Sequence, residues 1–333
     1  LKRANISDVA KEVGVSATTI SRFLNGEFNK MSPSTKEEIE NAIEKLNYRP
    51  FSSAREMRTD STKTIGVIVG DTSNIFSSLL FTGIYDIFQP FEYSVLLLNA
   101  NNSEKEEQRG INRLLSQRVD GLIIQPSQKK FKSYQNIIDS DTPLVMVDRE
   151  VYEQPLKVNK VITNNFNSSS DMVLELDKKN YKRIILICNI KIISAQTPRI
   201  KGFDEIAKKK NIQVEILNVN NHTDEWFKNN LFQMIKKNNY KTVLVTLMGP
   251  LLFKALSFCK EFNLAFPEDI GILSFDDWDW SKFVHNGIDL IEQNPLEIGK
   301  KAGKNLYKYI HNDLENMKSV DVIPAKRVFG NSL

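Results

Sequence analysis

The chain has 333 residues, more than one ordinary core accommodates, so two or three domains are expected. Its apolar and charged fractions, 41% and 26%, are those of a folded globular protein, and no run of about 18 apolar residues is present to cross a bilayer. A net charge of +4 is too small to prove a polyanionic partner; the two cysteines, Cys188 and Cys259, lie in apolar runs and argue against a disulfide framework; the three histidines are scattered without metal-ligand spacing.

The N-terminus reads straight into an amphipathic pattern without the apolar region of a signal peptide. Asn5 can cap a helix whose apolar residues Ile6, Val9, Ala10 and Val13 follow i, i+3, i+4, i+7 spacing. Gly14 permits a sharp turn at positive φ. Ser16 then caps a second helix of about eight residues with Ile20, Phe23 and Leu24 turned inward. A third helix starts at Ser32-Pro33, buries Ile39, Ala42, Ile43 and Leu46, and stops before Pro50.

The outer face of the second helix carries Ala17, Thr18, Ser21 and Arg22. Small residues let a backbone approach a groove, hydroxyls donate to phosphate, and an arginine pairs bidentately with a guanine edge. That is helix-turn-helix chemistry; a merely solvated polar face is the other reading of the same residues. Charge leaves the matter open, since residues 1–63 hold 11 Lys/Arg against 9 Asp/Glu.

From Thr64 the pattern becomes strands alternating with helices: "TIGVIVGD", a helix through Leu79 to Ile87, "YSVLLLN", a charged helix over 104–117, "DGLIIQ", a helix near 131–140, "PLVMVD" and a strand at 160–165. The series restarts with "RIILIC", "QVEILNV", "KTVLVTL" and "DIGILSF". Continuous apolar strands between helices predict parallel sheets covered on both faces, and two series predict two doubly wound lobes. Ligands of such folds bind beyond the carboxyl ends of the strands. Asp71, Gln125, Asp148, Arg149, Asn164, Asn165, Met248, Asp276, Asp277 and Trp278 stand there.

The same residues admit two rival readings. Asp276, Asp277 and Asp279 could serve general acid/base work or hold a cation, but no nucleophile with an adjacent base, no glycine-rich phosphate loop and no histidine accompanies them. One aspartate bonding hydroxyls and another capping the next segment is the simpler account, so an enzyme is not expected. A solute-binding protein for transport would need an export signal and no helical headpiece.

"ISDVAKEVGVSATTISRFLNG", followed by "NYRP", resembles the DNA-binding headpiece of the LacI/GalR family of bacterial transcriptional regulators. The resemblance implies base contacts from Ala17, Thr18 and Arg22, and phosphate contacts from Ser7, Thr19, Ser21 and Asn25, with Ser16 opening the recognition helix among them. "RPFSSAREMRT" is similar to the family's hinge helix, implying minor-groove contacts from Ser53, Ala54 and Met57, the last where a wedging leucine is usual. Phe51 departs from the family's common asparagine.

The remainder resembles the family's periplasmic-binding-protein-like core, which implies a small all-α helix-turn-helix headpiece plus an α/β two-lobed core of two doubly wound parallel sheets. Expected boundaries are 1–49 for the headpiece, 50–63 for the hinge, 64–162 plus 291–323 for the first lobe and 163–290 plus 324–333 for the second. The implied effector-binding residues are Asp71, Phe76, Arg149, Asn165, Arg199, Met248, Asp276, Trp278 and Gln293. "VTLMGP" departs from the family's common Asn-Asp run, placing Leu247 and Met248 where hydrogen bonds are usual. "FDDWDWSKFVHNGIDLIEQ" resembles the KdgR-like branch, which regulates hexuronate and pectin breakdown and responds to 2-keto-3-deoxygluconate; Arg149 and Arg199 would anchor such an acid, with Trp278 stacking on its carbon skeleton or, with Trp280, serving as an ordinary core aromatic. The implied function is a cytoplasmic, homodimeric repressor of carbohydrate catabolism genes with double-stranded operator DNA and a sugar or sugar-acid effector as partners, and with no metal, cofactor or membrane.

Overall fold

The computed structural model describes residues 4–49, 61–190, 195–284 and 287–333, and the chain divides into two compact units, Leu1–Thr62 and Lys63–Leu333. The first holds helices α1 (Ile6–Val13), α2 (Ala17–Leu24) and α3 (Pro33–Lys45). Local chemistry fixes each start. Asn5 Oδ1 accepts from the amides of Ser7 at 2.8 Å and Asp8 at 3.1 Å, while the Asp8 carboxylate accepts from the Asn5 amide at 2.8 Å, a reciprocal capping box. Gly14 closes α1 at φ 77°, a left-handed position that costs glycine nothing. Ser16 and Ser32 each accept from the amide three residues on, and Pro33 occupies a position where no amide hydrogen is needed. Val9, Ala10, Ile20, Ile39, Ala42 and Tyr48 form the buried core, with Phe23, Leu24, Ile43 and Leu46 packed half-buried around it. A 3-10 turn at Phe28–Lys30, not anticipated from the sequence, sets Phe28 edge-to-face on Phe23 at 5.6 Å. Ser53, Ala54, Met57 and Phe51 lie outside the described residues.

The second unit contains two six-stranded sheets. One has the order β11-β5-β4-β3-β1-β2 and is wholly parallel, from β1 (Thr64–Val69), β2 (Ser94–Asn99), β3 (Gly121–Ile124), β4 (Leu144–Val147), β5 (Asn159–Thr163) and β11 (Val320–Ile323). The other has the order β12-β10-β9-β8-β6-β7, from β6 (Arg183–Cys188), β7 (Gln213–Asn218), β8 (Thr242–Thr246), β9 (Gly271–Phe275), β10 (Asp289–Glu292) and β12 (Lys326–Val328), with β12 alone antiparallel. Along β6, Ile184, Leu186 and Cys188 enter one apolar cluster and Ile185 and Ile187 another, so the strand is buried on both faces.

Helices α4 (Ile75–Phe88), α5 (Glu104–Ser116), α6 (Gln135–Asp139) and α11 (Pro295–Ile310) belong with the first sheet, and α7 (Asn165–Lys178), α8 (Gln196–Lys209), α9 (Asp224–Lys236) and α10 (Gly249–Glu261) with the second. The helix expected near 131–140 is a 3-10 turn running into the short α6. Packing of α4 on α11 is backbone-close: a Cβ on Gly83 would lie 2.1 Å from the Leu296 carbonyl oxygen, and one on Gly299 2.2 Å from that of Leu80.

The chain passes between the sheets three times, after Thr163, after Glu292 and after Ile323. The strand expected over 160–165 stops at Thr163 because Asn165 already begins α7. Likewise β10 continues to Glu292, paired with β9 and β12, so this passage falls beyond the expected position 290. Thr163 Oγ1 accepts from Gln293 Nε2 at 2.7 Å and Asn164 Oδ1 from the Ala325 amide at 2.8 Å, which ties the three passages together.

Candidate functional site

Two surfaces carry the chemistry, one in each unit. On the headpiece, Ala17, Thr18 and Arg22 of α2 are exposed, as are Ser7, Ser16 and Asn25; Thr19 and Ser21 are half-buried. Ser16 Oγ is committed to its cap and lies 3.0 Å from Thr19 Oγ1. Arg22 makes no side-chain hydrogen bond or ion pair among the described residues, so its guanidinium is available to an outside partner.

The second surface is a cavity where the strand ends of both sheets meet. It is lined by Phe76 at the start of α4, Gln125 after β3, Asp148 and Arg149 after β4, and, from the second lobe, Gln196 and Arg199 of α8, Met248, Asp276, Trp278 and Gln293, with Asn74 at its edge. Asp148, directly after β4, and Asp276, directly after β9, both have φ near +60°, which turns the chain sharply out of each strand, and Trp278 shares that φ two residues on. Phe76 and Trp278 oppose each other with ring centroids 6.3 Å apart, one ring from each lobe.

Arg199 organises the second lobe's side. Only 3% exposed, it donates from Nε to Asn165 Oδ1 at 2.8 Å, from Nη1 to the Leu247 carbonyl at 2.6 Å and from Nη2 to Gln293 Oε1 at 2.5 Å, and its guanidinium sits 3.9 Å from the Phe275 ring centre. Three of its five N–H groups are thereby used, all on neutral acceptors. Among the described residues no carboxylate comes within ion-pair distance of it, and burial pulls its pKa down against the fields of Asp276 and Asp148. Gln293 is a hub: besides accepting from Arg199 it donates its amide to Asp276 Oδ1 at 2.7 Å. Burial lifts the Asp276 carboxyl to about 7, with Arg199 and the Gln293 amide opposing the rise.

Arg149 is held differently. Its Nη1 donates to the Pro126 carbonyl at 3.1 Å, its Nη2 to Asn102 Oδ1 at 2.6 Å, and its Nε lies 3.7 Å from Asp148. Burial lowers its pKa while Asp148, Glu107, Tyr134 and Asp71 resist. Asp148 in turn accepts from Gln125 Nε2 at 2.7 Å, and Gln125 Oε1 accepts the Gly70 amide at the same distance.

Of the nine residues expected in the cleft, seven line this cavity together. Asn165 lies behind Arg199 as its acceptor and on the wall of an adjoining cavity of about 870 Å³ that shares Asp148 and Ala195. Asp71 is not in the lining: its Oδ1 accepts both the amide and the hydroxyl of Ser73, closing an Asx turn. Gln196 escapes the sequence reading, since its side chain is placed by hydrogen bonds to the backbone of Asn189, seven residues earlier, which strand-end reasoning does not reach. The three neighbouring acids separate. Asp276 faces the cavity, Asp277 accepts the amides of Asp279 and Ser281, and Asp279 pairs on the surface with Lys282. Trp280 stacks on Phe253 at 4.3 Å in the second lobe and takes no part in the lining, whereas Trp278 does. Leu247 is core, and it is its carbonyl, not its side chain, that serves Arg199.

Residues 5–50 match the pattern of bacterial regulatory proteins of the lacI family, and residues 62–326 that of the periplasmic binding proteins and sugar binding domain of the LacI family. The chain belongs to the LacI family. It is 29% identical to the HTH-type transcriptional regulator KdgR of Bacillus subtilis (strain 168) over 98% of this chain and 97% of that protein. To the probable HTH-type transcriptional regulator EndR of Paenibacillus polymyxa it is 28% identical, over 92% and 90% of the two chains. The crystal structure of the lac repressor dimer bound to operator and the anti-inducer ONPF superposes with a TM-score of 0.82 at 21% identity, covering 99% of each chain. The protein is therefore a DNA-binding transcriptional regulator of the sugar-controlled kind and not an enzyme. Among the described residues no helix is long and apolar enough to cross a membrane, and no group of three potential ligands is placed to hold a metal ion.

Proposed function

We propose that the protein is a homodimeric cytoplasmic repressor of carbohydrate catabolism genes whose effector is a sugar acid, with 2-keto-3-deoxygluconate as the first candidate. The observation that carries the acid is Arg199: a buried cation at the cleft whose hydrogen-bond partners are all neutral, with an N–H to spare on each terminal nitrogen. A carboxylate would supply the missing counter-charge in bidentate geometry. Phe76 and Trp278 would cover the carbon skeleton, and Asp148, Gln196 and Gln293 offer acceptors and donors to hydroxyls. Met248 withholds a hydrogen bond that a neutral polyol would use. The similarity to KdgR along nearly the whole chain supports the same reading.

On the DNA side, Arg22, Ala17 and Thr18 would read base edges in the major groove, with Ser7, Thr19, Ser21 and Asn25 on phosphates and residues 50–63 forming the hinge. Control requires only that operator and effector prefer different arrangements of the lobes. The three hydrogen-bonded passages between the sheets are where such a change would be absorbed. Capture of genomic fragments by the purified protein at physiological salt, with and without 2-keto-3-deoxygluconate, tests both halves. Enrichment of one palindromic site that the acid alters supports regulator and effector together. Enrichment indifferent to every sugar acid removes the effector, and no enrichment removes the operator-binding assignment.

A further inference from the structure

We propose that the effector binds together with one proton, carried on Oδ2 of Asp276, so that the ligand carboxylate is met by a neutral carboxyl donor as well as by Arg199. This deepens the acid-effector reading and rests on it. The two oxygens of Asp276 are not equivalent. Oδ1 accepts the Gln293 amide at 2.7 Å, while Oδ2 has no hydrogen-bond partner among the described residues, although Asp276 is only 4% exposed and lines the cavity. Charged groups face it from three elements: Arg199 on α8 favours its ionised form, and Asp148 after β4 and Glu292 at the end of β10 oppose it. Burial pushes its carboxyl up to about 7, the effect on which those three charges act.

A ligand carboxylate seated on Arg199 changes three things at once. It adds a further negative charge beside Asp276, it takes up the arginine field that had favoured ionisation, and it expels water from the cavity. Each disfavours the charged carboxyl. The balance is simple: carboxylate ligand, one proton from solvent and ionised Asp276 give a complex in which Oδ2–H donates to the ligand oxygen. No covalent bond is made.

The sign follows from linkage. With the bound-state pKa above the free value, affinity is greatest below pH 7 and falls as pH rises through it, approaching a limit of about tenfold per pH unit. Titration calorimetry of the full chain with 2-keto-3-deoxygluconate at pH 6, 7 and 8, in two buffers of different ionisation enthalpy, reads the protons directly. Uptake should be slight at pH 6 and a large fraction of one proton at pH 8. Asp276→Asn, whose amide donates at every pH, should show no uptake and an affinity that is flat across the range, tighter than wild type at pH 8. Binding without proton exchange at pH 8 overturns the proposal and leaves the acid effector standing. Uptake that persists in Asp276→Asn also overturns it, by moving the proton to another group. Should that variant fail to fold, the wild-type buffer dependence still decides. Failure of the sugar acid to bind at any pH overturns both readings.

Discussion

Arg22 and Arg199 show how differently the two halves of this regulator use one side chain. On α2, Arg22 stands exposed on a helix fixed by its own caps, with no partner among the described residues. In the cleft, Arg199 is buried and joins α7, the end of β8, the β9 core ring and the passage at Gln293. A reading surface built from local structure can change one contact at a time. A cavity built from strand ends cannot, because Arg199, Gln293, Asp276 and Asp148 in its lining also hold neighbours.

That contrast can be broken by mutation. Arg199→Ala should abolish the effector response and lower core stability by about 2–4 kcal/mol, since three buried acceptors lose their donors and a void opens over Phe275; denaturant unfolding together with an effector dose-response checks it. A stable variant that still responds would sink the account. Gly299→Ala, outside the cavity lining, should cost about 2–3 kcal/mol by forcing α11 from the Leu80 carbonyl, visible as a lower Tm of the core with operator contacts intact. Arg22→Ala should weaken specific operator binding by about 2 kcal/mol and relax preference at one base pair without shifting the Tm. Competition among operator variants reads this, and unaltered discrimination would contradict a base-reading role. Smallest, Ser16→Ala removes the cap on α2 and should cost the headpiece about 1 kcal/mol, measured by amide exchange in α2.

The headpiece is nearly transparent in sequence because its determinants are neighbours: Asn5 with Asp8, Gly14 after α1, Ser16 with Thr19 and Ser32 before Pro33. The cleft is legible only in part. Residues directly after strand ends, such as Asp148 and Asp276, are found by the topology of parallel sheets. Asp71 satisfies the same rule yet turns away, and the signal was present in the Asp-Thr-Ser spacing of an Asx turn. Gln196 carries no such signal, because its place depends on hydrogen bonds to the backbone of Asn189, seven residues away in sequence. The passage at Gln293 was expected a few residues early, since an apolar strand does not announce which sheet it completes.

The interleaved chain path has a consequence during synthesis. The first sheet receives its edge strand β11 only after the whole of the second sheet through β10 has been made, and α11, which closes its apolar face, comes scarcely sooner. At ribosomal speeds of about 5–20 residues per second, β1 to β5 wait from about seven seconds to several tens of seconds for those partners. The headpiece has no such wait, because every element of its core precedes Arg49. A nascent chain would therefore display a folded DNA-reading module while the sugar-sensing half is still an exposed, unfinished sheet, the interval in which chaperone protection matters most for this protein.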